Sequence, residues 1–261
     1  MNYSSRFWLY APLAVFLALA GAAMVHWWML AGALEKKLDA INGHPAIPGV
    51  IVAFTGRTVS GFPFNLDVVF TGFRISGMGA HGPLAWQSRD FALHALTYGR
   101  AQQIYEAAGP QALAWTDAFG KAHHVTFLPG ALRASAITDA KGLARFDLDL
   151  VAAAGKDSDG ADFRAAHAQF HMRRVPGRDD LDTMISVEDA AGGGTTIRSL
   201  IDYAGFTHAG TLAPLLAGRA SWPDAVMAWR LAGGTKRSVR RNAQPPADAT
   251  ALISKILGAL Y

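Results

Sequence analysis

The sequence predicts a mainly β domain with peripheral α-helices, set behind an N-terminal transmembrane helix. Three observations predict it. An apolar run without Asp, Glu, Lys or Arg extends from Phe7 to Leu34. Several later segments alternate apolar and polar residues with a period of two, as half-buried antiparallel strands do. Turns rich in glycine, aspartate and proline separate those segments at short intervals.

Composition agrees and narrows the function classes. Apolar residues make up 51% of the chain and charged residues only 17%. Ordinary soluble domains carry roughly 25% charged residues, so an apolar environment for part of the chain is expected. No cysteine is present, which excludes disulfides, thiolate metal sites and cysteine nucleophiles. A net charge of +4 over 261 residues is far from the dense basic face that nucleic-acid binding needs, so no nucleic acid is expected as a partner.

Residues 1–34 read as the anchor. The run from Phe7 to Leu34 is long enough to cross a hydrocarbon core of about 30 Å at 1.5 Å per helical residue. Phe7, Trp8 and Tyr10 mark one end and Trp27 and Trp28 the other, where amphipathic rings prefer the headgroup level. A cleaved signal peptide would use Ala20, Gly21, Ala22 and Ala23 as its processing site. The run continues through Met24 to Leu30, as an uncleaved anchor should. Arg6 on one side and Lys36 and Lys37 on the other leave the orientation open by charge counting.

Residues 35–47 read as a stalk and turn. "LEKKLDAI" continues the helix with Leu34, Leu38 and Ile41 on one face, and "NGHPAIPG" breaks it. The folded domain, residues 48–235, is then expected to begin near Pro48. In Phe62 to Phe70, the residues Phe62, Phe64, Leu66, Val68 and Phe70 share one face of an expected strand, and Pro63 marks its start. "ARFDLDLV" turns Phe146, Leu148 and Leu150 inward, and "LDTMISVE" repeats the pattern. "VIVAF", "FRIS", "FALHALTY" and "HHVTFL" are shorter strand candidates. Asp159-Gly160 in "GKDSDGAD" signals a hairpin.

Helical signals occur in three places. "RAQQIYEAAGPQALAWTDAFG" suggests two short helical turns broken at Gly109-Pro110. "SWPDAVMAWRLAGG" predicts a helix from Pro223 to Leu231, capped at Ser221 or Trp222 and closed by Gly233-Gly234. Its apolar stripe is Trp222, Val226 and Trp229. Residues 236–261 read as a basic linker followed by a C-terminal helix with Leu252, Ile256 and Leu260 aligned.

The anchor, the stretch "SGFPFNLDVVFTGFRI" and the late "WRLAGGT" resemble the domain of unknown function 2125 family, proteins of alphaproteobacterial envelopes. The resemblance implies a single-pass protein of the inner membrane with its C-terminal domain in the periplasm. It implies no enzymatic activity and no catalytic residues. A looser similarity, to envelope proteins with curved antiparallel β-sheets, implies a concave apolar face that holds lipid chains.

Residues able to carry chemistry are few in pattern. His167 and His171 stand four apart, as two metal ligands on a helix would. On a strand that spacing is roughly 13 Å, too far for one ion. His123 and His124 would point to opposite faces. Asp157, Asp159 and Asp162 echo a calcium loop, but Ala168 stands where its bidentate glutamate belongs. Asp179, Asp180 and Asp182 read as a solvated loop. No phosphate loop or nucleophile elbow occurs, and "AGGGTT" lacks the following helix. Lys236, Arg237, Arg240 and Arg241 could meet anionic headgroups, at about 1 kcal/mol per charge, or simply be solvated.

The sequence therefore leads us to expect a non-enzymatic, membrane-anchored envelope protein without metal or cofactor. Its expected partner is membrane lipid, with Phe62, Phe64, Leu66, Val68 and Phe70 as acyl-contact residues. The alternative is a structural or scaffolding protein that presents its β-domain to another envelope protein.

Overall fold

Helix α1 (Ser5–Ile41) runs 37 residues without interruption, about 55 Å at 1.5 Å per residue. This computed structural model describes residues 5–79, 81–98, 101–117, 119–160, 162–188, 196–206, 214, 220 and 222–241. The helix changes character along its length. From Tyr10 it is long and apolar enough to cross a membrane, with a mean hydropathy of 1.9, and Phe16, Leu19 and Trp28 are exposed. Its last turns do the opposite. Ala31 and Leu38 are buried, and Leu34, Leu38 and Ile41 pack against Phe54, Val68, Phe70 and Phe73. Arg57 donates to both oxygens of Asp39. Asn42 makes reciprocal bonds to the backbone of Phe54, at 2.9 and 3.2 Å. Residues 35–47, expected as stalk and turn, thus include a core-forming helix end and the first strand.

Among the described residues, thirteen antiparallel strands form one sheet. In chain order they are β1 (His44–Ile47), β2 (Val50–Ala53), β3 (Gly56–Ser60), β4 (Asn65–Met78), β5 (Pro83–Leu96) and β6 (Gln102–Thr116). Next come β7 (Ala122–Leu128), β8 (Ala131–Asp139), β9 (Gly142–Asp157), β10 (Asp162–Arg174), β11 (Leu181–Glu188), β12 (Thr196–Ala204) and β13 (Thr235–Arg241). Most neighbours in sequence are neighbours in the sheet, as short hairpin turns dictate. β8 and β7 divide the space between β6 and β9, each covering one stretch of both. The expected hairpin at Asp159-Gly160 joins β9 to β10, with Gly160 at φ +81.

The expectations for β6 and for the start of β4 need correction. The segment containing Gly109-Pro110 is strand β6, not helix. Its alanines favour a helix, but pairing with β5 on one edge and with β7 and β8 on the other decides the outcome. Gly109-Pro110 is a bulge within that strand, where a residue without an N–H is tolerated. Gln111, only 1% exposed, holds the bulge through Nε2, which donates to Ser88 Oγ and to the carbonyls of Ala108 and Gly109. The strand expected from Phe62 begins at Asn65 instead, and residues 62–64 form a turn with a cis Phe62–Pro63 peptide. Leu66, Val68 and Phe70 share the inner face as expected, while Phe62 and Phe64 leave it.

Helix α2 (Trp222–Leu231) follows its predicted bounds. Ala225 and Trp229 are buried against Leu181, Ile201, Tyr203 and Phe206, and Trp229 Nε1 donates to Ala204 O at 2.8 Å. Gly233, at φ +78, closes the helix, and a Cβ on Gly234 would lie 2.0 Å from the Trp229 ring. The "WRLAGG" run is thus a cap followed by a contact that admits only glycine. The basic residues after it are strand β13 paired with β12, not a linker. The C-terminal helix and the "AGGGTT" loop lie largely or wholly outside the described residues.

Candidate functional site

Strand register traces one apolar face across the whole sheet. Val68 lies opposite Leu93, Leu93 opposite Tyr105, and Tyr105 opposite Ala134. Ala134 lies opposite Leu148, Leu148 opposite Phe170, and Phe170 opposite Ile185. A second row runs beside it from Phe70 through Phe91, Ala107, Leu132, Leu150 and Ala168 to Val187. Side chains two apart on a strand share a face, so both rows form one surface.

Helices α1 and α2 cover the ends of this surface. The last turns of α1 bury Val68, Phe70 and Phe73, and α2 buries Leu181, Ile201 and Tyr203. Between them lie β6, β8, β9 and β10, about 14 Å of sheet at roughly 4.8 Å per strand step. Here Tyr105, Leu132, Leu148, Leu150 and Phe170 are only half-buried. Phe146 and Phe170 add a ring pair at 6.2 Å. Tyr105 is the floor's polar tip. Its hydroxyl donates to Gln103 Oε1 at 2.8 Å, and burial pushes its pKa up.

The opposite face is charged and internally paired. His171 bonds Asp147 at 2.7 Å and His167 bonds Asp149 at 2.5 Å. Burial pushes the Asp147 carboxyl up, but hydrogen bonds from Arg145 and His171 and their charges hold it below its usual value. Asp149 behaves likewise: burial raises it, but hydrogen bonds from His167 and Gln169 outweigh this and hold it below its usual value. Arg173 pairs with Asp182 and Arg133 with Glu106. A groove of about 610 Å³ runs over Arg145, Asp147, His171, Asp182 and Arg237. Ser135 Oγ donates to Asp147 at 3.4 Å rather than to the histidine, so this cluster lacks the serine-to-base contact that nucleophilic catalysis uses.

The sequence candidates fall into three separate places. Leu66, Val68 and Phe70 lie on the inner face, the last two covered by α1. Phe62 and Phe64 stand 49% and 60% exposed in the turn before β4. That turn meets α1 at Trp27, whose ring touches Phe62 edge-on at 5.7 Å and whose Nε1 donates to Asn65 O at 2.7 Å. Lys236 and Arg237 are exposed on β13, at the far end of the sheet order from β4. Arg240 and Arg241 belong to the same strand, their side chains outside the described residues. His123 is buried against Asp117 at 2.8 Å and His124 is exposed, as opposite faces require.

Sequence reasoning did not single out Tyr105, Leu132 or Phe170. It placed Phe146, Leu148 and Leu150 inward, which was the available signal. What it lacked was the register that shows which part of the inner face the helices leave half-buried.

A family model described as an uncharacterized protein conserved in bacteria, domain of unknown function 2125, matches residues 27–251. The match takes in the end of α1 from Trp27 together with the sheet. Neither curated proteins nor solved structures give a match. The chain belongs to the domain of unknown function 2125 family.

Proposed function

We propose that this member of the domain of unknown function 2125 family is a non-enzymatic, single-pass protein of the inner membrane. Its sheet lies in the periplasm and holds lipid acyl chains on the apolar face between α1 and α2. The half-buried floor of Leu132, Leu148, Leu150 and Phe170 carries this reading. Such a floor gains about 25 cal/mol per Å² when an apolar chain replaces water on it.

The anchor is supported by side chains beyond the candidate cleavage residues Ala20–Ala23. Met24, Val25, Trp28 and Met29 are all at least half exposed, a surface that suits hydrocarbon and headgroups better than water. The periplasmic orientation rests on the "SGFPFNLDVVFTGFRI" and "WRLAGGT" resemblance, because the flanking charges balance. The scaffolding alternative would use β13, which has one neighbour among the described strands. Lys236 and Arg237 on that edge disfavour pairing with another strand.

A photoreactive phenylalanine analogue at Phe170, in the full chain in its own membrane, tests the lipid reading. Lipid adducts at Phe170, with none at Phe119, which is exposed, are expected on mass spectrometry. No adduct at Phe170, while the same group at Leu19 of α1 is labelled, refutes it. A reporter active only outside the cytoplasm, fused after Tyr261, tests the orientation; a silent but expressed reporter reverses it.

A further inference from the structure

Resting on the anchored reading above, we infer that the turn before β4 is a second membrane contact. Phe62 and Phe64, with Tyr98 beside them, sit in the headgroup–acyl boundary and hold the sheet against the bilayer that α1 crosses. The occupant of this exposed apolar tip is therefore the lipid interface itself.

The level of the turn is set by Trp27. Along α1, Tyr10 and Trp27 stand about 26 Å apart at 1.5 Å per residue, close to a hydrocarbon thickness of about 30 Å. With Tyr10 at one boundary, Trp27 and Trp28 reach the other, where such rings are favoured. Phe62 touches the Trp27 ring and Asn65 accepts its N–H, so the turn is fixed at the same depth. Phe64 extends the aromatic surface to Tyr98 at 6.1 Å. Phe64, Tyr98 and Trp28 are 60%, 61% and 70% exposed, and Leu96 adds an apolar neighbour at 49%.

Several backbone groups of the turn are paired within the protein. Polar groups that leave water need partners. Asn65 N donates to Gly61 O at 2.8 Å, Asn65 O accepts from Trp27, and Phe64 O accepts from both Thr97 N and Thr97 Oγ1. Pro63 has no N–H to satisfy. Residues 61–65 and 96–98 carry no charge, and the nearby Asp67 is paired with His94 at 2.7 Å. Gly61 keeps the turn tight, because at φ +99 a Cβ would lie 2.8 Å from Asn65 O.

The chain contains no cysteine, so single nitroxide labels can be placed without background. Full-length Phe64→Cys, Tyr98→Cys, Leu19→Cys and Phe119→Cys are labelled in vesicles of phosphatidylethanolamine and phosphatidylglycerol. Power saturation compares accessibility to oxygen, which concentrates in lipid, with accessibility to a water-soluble nickel chelate. Labels at Phe64, Tyr98 and Leu19 are expected to favour oxygen, and the label at Phe119, 96% exposed, to favour nickel. If both tip labels match Phe119 while Leu19 favours oxygen, the tip contact is overturned and the anchor stands. If Leu19 also favours nickel, the anchored reading fails and the tip contact with it. Tyr98→Cys keeps the test decisive if Phe64→Cys does not fold.

Discussion

Replacing Leu38 by alanine probes whether the end of α1 is a spacer or part of the core. Leu38 is 7% exposed and packed with Phe54, Val68, Phe70 and Phe73. Removing a buried leucine side chain costs its transfer energy plus the cavity left behind, about 2.7–5.0 kcal/mol in a comparable series. A value near 3 kcal/mol fits a site bounded by rigid rings that collapse poorly. For about 200 residues of folded domain each kcal/mol moves the midpoint by roughly 2–4 °C, so Tm should fall by about 6–12 °C. The assay is a thermal melt of the full chain in detergent, followed by near-UV circular dichroism. Leu19→Ala, at a position 66% exposed on the same helix, should leave the melt of the sheet unchanged. If Leu38→Ala melts with Leu19→Ala, within about 0.5 kcal/mol of wild type, the packing of α1 on the sheet is wrong.

Three further outcomes follow from the same contacts. Gly234→Ala should destabilise by about 1–3 kcal/mol through overpacking against Trp229, read as a lowered denaturation midpoint; an unchanged midpoint would contradict the contact. Gln111→Leu should cost about 1–3 kcal/mol, because bulge carbonyls lose their donor in a buried site, and retained stability would show that the bulge holds itself. Asp117, held low by the hydrogen bond from His123, and Asp147 and Asp149, held low by their partners despite burial, have folded pKa values below the unfolded one. Their stabilisation is present above about pH 4 and lost as pH falls through the lowered values. Denaturation midpoints should therefore drop in acid, less steeply in Asp147→Asn; identical acid profiles would remove Asp147 from the account.

Much of the fold is legible in the residues themselves. Alternation placed Leu66, Val68 and Phe70 on one face, and Pro223 with Gly233 bounded α2. The helix expected around Gly109-Pro110 failed because neighbouring strands, not local propensity, fix β6. Phe62 and Phe64 fit the alternation by residue type, yet Gly61 and Pro63 take them out of the strand. The candidate site was the least legible part. Leu148 and Phe170 alternate just as Val68 and Phe70 do, and only the register and the placement of two helices distinguish half-buried floor from closed core. The His167 and His171 pattern resolved as a strand, each ring held by an aspartate of β9.

The central claim is that the floor between α1 and α2 holds acyl chains. Native mass spectrometry of the full chain, after loosely held lipid has been stripped from the span, tests it most directly. Lipid is expected to be retained by the wild type and lost in a folded Leu148→Asp variant. Absence of lipid from both, or equal retention by both, would contradict it.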